Sequence, residues 1–237
     1  MKSIFVNLGF DATSAISQLM AMQLTESDKV VIVSPIAVDE SSGRRGAMAR
    51  HALADALNPP RRGGLRVPYE EMLLDLSDIE TSVKCLFQTI LKHNRSGSTV
   101  IFELTGGARV ITSIMMFVAV AGQGLVDEIH FIDEVTGGRV MIPIGGLSKL
   151  QGRPTFASIL RAVIEGGRDG VSRRELEQML SVRKSTVSRA ASFLKREGLV
   201  TECLRRLYPS DRLRTSAGLV YALPAAYMEP TLLATSE

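Results

Sequence analysis

The chain has 237 residues, 45% hydrophobic and 22% charged, a composition that buries a proper core and excludes a disordered polymer; the length fits two domains or one large α/β domain. No apolar run reaches the roughly 20 residues a membrane helix needs, and MKSIFVNLGFDATS lacks the long apolar stretch and cleavage site of a secretion signal, so a soluble cytoplasmic protein is expected. Two cysteines, Cys85 and Cys203, and three histidines, His51, His93 and His130, stand without ligand spacing, which argues against a zinc site or disulfide scaffold and predicts no bound metal, the histidines being ordinary surface or partly buried residues.

The formal charge of +3 hides an asymmetry. Residues 1–147 hold 13 Lys+Arg against 16 Asp+Glu, a balance of −3, whereas residues 148–237 hold 15 against 9, a balance of +6. The C-terminal part is thus the part expected to meet a polyanion.

In chain order, SIFVNLGF reads as a strand and DATSAISQLMAMQL as a helix, with Asp11 or Thr13 available as its N-cap. KVVIVSP is a continuous apolar run of the kind found in buried parallel strands, stopped by Pro35, and the Ala- and Leu-rich GAMARHALADALN predicts a second helix. LRVPYEE is a weaker strand whose Pro68 suits a sheet edge, and DIETSVKCLFQTILKHNR is an amphipathic helix opened by Asp78. STVIFELT and ARVITSIMMFVAVAGQG form a fourth pair, after which DEIHFIDEV, a Thr136-Gly137-Gly138 turn and RVMIPI predict a β-hairpin. Alternating elements of this sort imply an α/β, Rossmann-like, mainly parallel sheet that ends in a hairpin, with ligands bound beyond the carboxyl ends of its strands.

GGLSKLQGRP marks a boundary, giving a domain over 1–147, a linker at 148–154 and a second domain over 155–237. Three helices are expected there: TFASILRAVIEGG, SRRELEQML with Ser172 and Glu175 as a capping box, and RKSTVSRAASFLKREG. Two strands, LVTECLRRL and GLVYALP, flank the basic segment YPSDRLRTSA as they would a hairpin loop. Leu176, Leu180, Val187, Ala191 and Leu194 have the spacing that packs two short helices across a tight turn. Residues 155–224 resemble the winged helix-turn-helix DNA-binding family. The resemblance implies that Arg183, Lys184, Ser185, Thr186, Ser188 and Arg189 face the major groove of double-stranded promoter DNA, with Arg205, Arg206, Arg212 and Arg214 on the wing.

LTGGAR after the fourth strand allows a backbone to approach closely and an anion to sit at the start of the next helix, or it simply shapes a turn. There is no GxGxxG after the first strand and no GxxxxGK[ST] anywhere. Gly9-Phe10-Asp11 after the first strand, Ser34-Pro35 after the second, Thr105-Gly106-Gly107-Ala108-Arg109 after the fourth and the domain order together resemble the CRISPR-associated Rossmann fold (CARF) regulators that carry a C-terminal winged helix. Glu103 and Ala108 depart from that family's usual side chains. The resemblance implies a homodimer that binds a cyclic oligoadenylate effector, cyclic tetra-adenylate first among them, and uses no cofactor. Gly9, Phe10, Asp11, Thr13, Ser34, Pro35, Thr105, Gly106, Gly107, Ala108 and Arg109 would meet the ligand, and DESSGRRGAMARH, residues 39–51, would be the loop over it, with Arg44 and Arg45 as candidates. No catalytic residue is assigned, and sensing without turnover is expected. The alternatives left open are a ring-opening phosphodiesterase and a metabolic regulator that binds another nucleotide or a sugar phosphate.

Overall fold

The computed structural model describes residues 1–59, 66–122, 124–133 and 136–211. Contacts divide the chain into two compact units, Met1–Gly138 and Arg139–Glu237.

The first unit follows the alternation read from the sequence: β1 (Lys2–Asn7), α1 (Thr13–Ala21), β2 (Lys29–Pro35), α2 (Glu40–Leu57), β3 (Tyr69–Leu74), α3 (Ile79–Arg95), β4 (Thr99–Glu103), α4 (Arg109–Ala121) and β5 (Glu128–Ile132); β6 (Arg139–Ile142), which follows the turn, is by this division the first element of the second unit. The sheet order is β3-β2-β1-β4-β5-β6, and each neighbouring pair from β3 to β5 is parallel. This is a Rossmann-like sheet. Val30 to Ser34 are all buried, as a strand covered on both faces requires. β3 begins only after Pro68 and lies at the edge, where a residue without an N–H does no damage. Ile4 and Val6 pack with Leu19, Leu53 and Leu57. Phe5 turns the other way, its ring 5.6 Å from Phe102 and 5.4 Å from the His93 imidazole, as the two-residue period of a strand dictates.

Three expectations change in this unit. α1 is capped at Ala12 with no side-chain bond; Asp11 instead accepts from the Thr13 N–H at 2.8 Å and its hydroxyl at 2.7 Å. The stretch 39–51 is mostly the first half of α2. Asp39 accepts from the Ser42 N–H at 2.8 Å and Ser42 answers in a reciprocal capping box, which starts the helix despite Gly43 and Gly46. His93 and His130, expected as surface or partly buried residues, are buried. His93 lies 2.8 Å from Ser3 Oγ through Nδ1 and 3.0 Å from Glu70 through Nε2, and Glu70 also holds Lys29 at 2.6 Å; His130 meets Glu128 at 2.8 Å.

The second unit holds α5 (Ile144–Ser148), α6 (Pro154–Glu165), β7 (Val171–Ser172), α7 (Arg173–Met179), α8 (Lys184–Arg196), β8 (Val200–Cys203) and β9 (Arg206–Pro209), the strands ordered β7-β9-β8. Leu176, Val187, Ala191 and Leu194 are buried in one core, with Leu180 packed against it. The residues read as a linker lie in this unit too, with Leu150 in the same core. Ser172 and Glu175 form the expected capping box, the Glu175 N–H donating to Ser172 Oγ at 3.2 Å and the Ser172 N–H to Glu175 at 2.6 Å. The hairpin turns earlier than expected. Antiparallel β8 and β9 pair across Leu204–Arg205, both with positive φ, +49° and +63°, so the turn falls inside LVTECLRRL. Arg212, Arg214 and GLVYALP lie outside the described residues.

Candidate functional site

Strand order reverses between β1 and β4, the point at which open α/β sheets leave a crevice. Here the crevice floor is made by glycines. Gly107 has φ +88°, and a Cβ on it would lie 2.0 Å from Asn7 Oδ1; a Cβ on Gly9 would lie 3.1 Å from the Gly107 Cα. Gly106 is less constrained, the nearest atom to its Cβ being the Asn7 carbonyl oxygen at 3.8 Å. The second glycine thus answers to the turn and to close packing. Asn7, a residue the sequence reading passed over, ties the loops together, its amide donating to Thr112 Oγ1 at 2.8 Å and to the Ala108 carbonyl at 3.2 Å. Its one legible signal is a polar residue closing the apolar run Ile4–Val6 of β1.

Thr105 is turned inward: its N–H donates to Glu103 at 2.9 Å, and its hydroxyl bonds the same buried carboxylate. Ala108 caps α4 with no side-chain bond, and no acidic residue occupies the first turn. That terminus can take an anion, with the exposed Arg109 beside it.

Beside the crevice, over the ends of β1, β2 and β3, lies a cavity of about 610 Å³ that includes Gly9, Phe10, Ser34, Pro35 and Ala108 in its wall. Ile36, Ala37, Val38, Leu73 and Leu76 make much of the remaining surface apolar. Ser34 is buried and its hydroxyl has no hydrogen-bond partner among the described residues, a polar group left to be satisfied. The half-exposed Phe10 carries the Arg45 guanidinium 4.5 Å from its ring centroid, a cation-π pair at the rim. Arg50, on α2, also lines the cavity and pairs with Glu71 at 3.0 Å; the sequence reading did not single it out. Asp75 closes the wall, its carboxyl held below the usual range by hydrogen bonds from the Ser77 hydroxyl and N–H. Such a wall suits a flat, partly apolar group with a polar edge. Arg44 is exposed and paired with Glu40, and Asp11 and Thr13 bond each other; none of the three lines the cavity.

In the second unit Arg183, Lys184, Ser185 and Arg189 are exposed, and Thr186 and Ser188 are half-exposed. All but Arg183, the N-cap, lie on α8. Arg183, Lys184, Arg189 and the hairpin-tip Arg205 form no ion pair among the described residues. Arg206 is different. Its Nε donates to the Asp169 carbonyl at 2.8 Å, and its Nη2 to the Gly170 carbonyl at 3.0 Å and to Glu175 at 3.1 Å. It therefore braces the hairpin against the start of α7 and is not turned outward. Its partner Glu175 is held ionised below its usual range, first by the Ser172 N–H and hydroxyl and then by Arg206.

A mainly parallel α/β sheet with a cavity beyond its strand ends defines the first unit as a Rossmann-like domain. Residues 2–143 match the Csa3 CRISPR-associated Rossmann-like domain, and the chain belongs to that family. The membership bears out the CARF resemblance for the Rossmann part. No curated protein matches the chain. Among the described residues no helix is long and apolar enough to cross a membrane.

Proposed function

We propose that the protein is a ligand-responsive, DNA-binding regulator of CRISPR-Cas functions. The first unit senses a cyclic oligoadenylate, cyclic tetra-adenylate before other ring sizes, and the second acts as a winged helix-turn-helix domain on promoter DNA. The observation that carries the reading is one chain that combines a CRISPR-associated Rossmann-like domain, open at its strand-end cavity, with a helical unit whose α8 presents unpaired bases. An adenine fits the chemistry of the cavity, with apolar walls to enclose its faces and the Ser34 hydroxyl to meet its edge. The uncapped N-terminus of α4, with Arg109, supplies the complement for a phosphate.

A ring with twofold symmetry calls for a twofold receptor. α4 offers a face for a second copy of this chain: Val110, Phe117 and Val120 recur at helical spacing and are 47%, 61% and 49% exposed. The ligand is bound without being cut. The cavity wall is mainly apolar, its Asp75 and Arg50 are already engaged by Ser77 and Glu71, and Glu103 is held by Thr105.

Calorimetric titration with cyclic tetra-adenylate, linear tetra-adenylate, NAD, ATP and a cyclic dinucleotide tests the sensor. One ring per two chains, with the others far weaker, is expected; equal or tighter binding of NAD or ATP would instead favour a metabolic regulator. Appearance of linear adenylates on incubation would replace sensing by ring opening. Coupling is reciprocal, so promoter DNA must shift ring affinity by the same factor that the ring shifts DNA affinity, and no shift in either removes the allosteric claim.

A further inference from the structure

The hydroxyl and basic residues of α8 do not stop at its first turns. Ser185, Ser188, Arg189, Ser192 and Arg196 recur at i, i+3, i+4, i+7 and i+11, one continuous stripe along the helix. At the far end of the stripe Phe193 is nearly buried and carries two guanidinium groups, Arg153 at 4.5 Å and Arg196 at 5.3 Å from its centroid. Phe156 backs the cluster, its ring 5.5 Å from Phe193 and 5.8 Å from Arg153. An open depression of about 690 Å³ lies here, lined by Arg153, Ser188, Arg189, Ser192 and Arg196 around the two rings.

The charge there is only partly compensated. Glu197 reaches Arg196 at 3.1 Å but also holds Lys149 at 2.7 Å, while Arg153 and Arg189 form no ion pair among the described residues. Two like charges are thus gathered on one ring. A guanidinium stacked on an aromatic face keeps its in-plane N–H groups directed outward, in the fork that matches the oxygens of a phosphate. Serine hydroxyls beside it add neutral donors to the same oxygens.

Resting on the DNA-binding reading above, we propose that Arg153 and Arg196, positioned by Phe193, form a clamp for a backbone phosphodiester of duplex DNA. Eleven residues of helix separate Ser185 from Arg196, about 16 Å at 1.5 Å per residue. The major groove is about 12 Å wide. A helix whose first turns meet base edges therefore brings its last turn to the sugar-phosphate wall.

The test uses the full chain, a random-sequence 30-base-pair duplex and salt titrations. The Arg153→Ala/Arg196→Ala variant is expected to bind roughly tenfold or more weakly on any duplex, and its slope of log K against log salt is expected to flatten by about 0.9 for each chain bound, one phosphate contact being lost. Arg153→Lys/Arg196→Lys keeps the slope and loses affinity, because the charge stays and the fork goes. Arg168→Ala, an exposed arginine outside the cluster, changes neither. If the wild type binds the duplex and the double alanine variant keeps both slope and affinity, the clamp is wrong and the regulator reading survives. If the wild type binds no duplex, or prefers single-stranded RNA, both are wrong.

Discussion

Gly107→Ala is the substitution whose outcome the geometry determines most fully. Two costs add. At φ +88° an L side chain costs about 1–2 kcal/mol in the left-handed region. The new methyl would then lie 2.0 Å from Asn7 Oδ1 and 2.7 Å from the Asn7 carbonyl oxygen, and overpacking of this kind costs about 1–3 kcal/mol after relaxation. The sum is roughly 2–5 kcal/mol, or roughly 5–15 °C in melting temperature at about 2–4 °C per kcal/mol for a chain of this size. Gly106→Ala, with only the Asn7 carbonyl within 4 Å of its Cβ, serves as the control and is expected to shift the melt by no more than 1–2 °C, in line with about 0.5 kcal/mol for an unstrained change. Pairing Gly107→Ala with Asn7→Ala relieves only the side-chain clash, because the backbone oxygen stays in place, so the double variant recovers part of the loss. The assay is calorimetry and urea denaturation of all four proteins. A Gly107→Ala melt within 2 °C of wild type, or equal to that of Gly106→Ala, would refute the close-packing account and return the glycine to a ligand-only role.

Phe10→Ala removes the ring that carries Arg45 and faces the cavity; base–aromatic contacts are worth about 1–3 kcal/mol, so calorimetry should find cyclic tetra-adenylate binding weakened roughly 5- to 150-fold with the fold intact. Ser172→Ala deletes one arm of the capping box at α7 and should cost about 1 kcal/mol, read as a lower urea midpoint. Burial works against ionised Glu70, but hydrogen bonds from Lys29 and His93 outweigh it and hold its carboxyl below the ordinary 4.5. Its stabilisation is therefore present above that pH and lost as pH falls through the depressed folded value. Glu70→Gln should flatten the acid limb of the urea midpoint against pH, and an unchanged limb would place the acid sensitivity elsewhere.

The sheet was legible because its signals are local and strong. KVVIVSP matches β2 residue for residue, and Pro68 located an edge strand because a missing donor is tolerated only there. The capping box at Ser172 was legible for the same reason, since four consecutive residues contain it. The start of α2 was misplaced because the family resemblance put a loop over residues 39–51, whereas Asp39 and Ser42 close the helix start there. The hairpin turn was misplaced because neither Leu204 nor Arg205 is a residue that ordinarily marks left-handed backbone. At the site, the strand-end motifs pointed to the right end of the sheet, but which side chains are free is a matter of three-dimensional pairing. Thr105 bonds Glu103, Arg206 bonds Glu175, and Ser34 alone keeps an unanswered hydroxyl in the cavity wall. Nothing in a linear pattern distinguishes those three.

The tip of the β8–β9 hairpin links stability to reach. Two successive left-handed positions are where Asn-Gly is at home, and placing it at Leu204–Arg205 would relax a turn held at some cost. The same exchange would delete an apolar side chain that is 89% exposed and the cation next to it. A library randomised at these two codons would therefore split under two selections: survivors of heat challenge would drift toward Asn and Gly, while survivors chosen for holding a partner at the tip would keep the costlier pair.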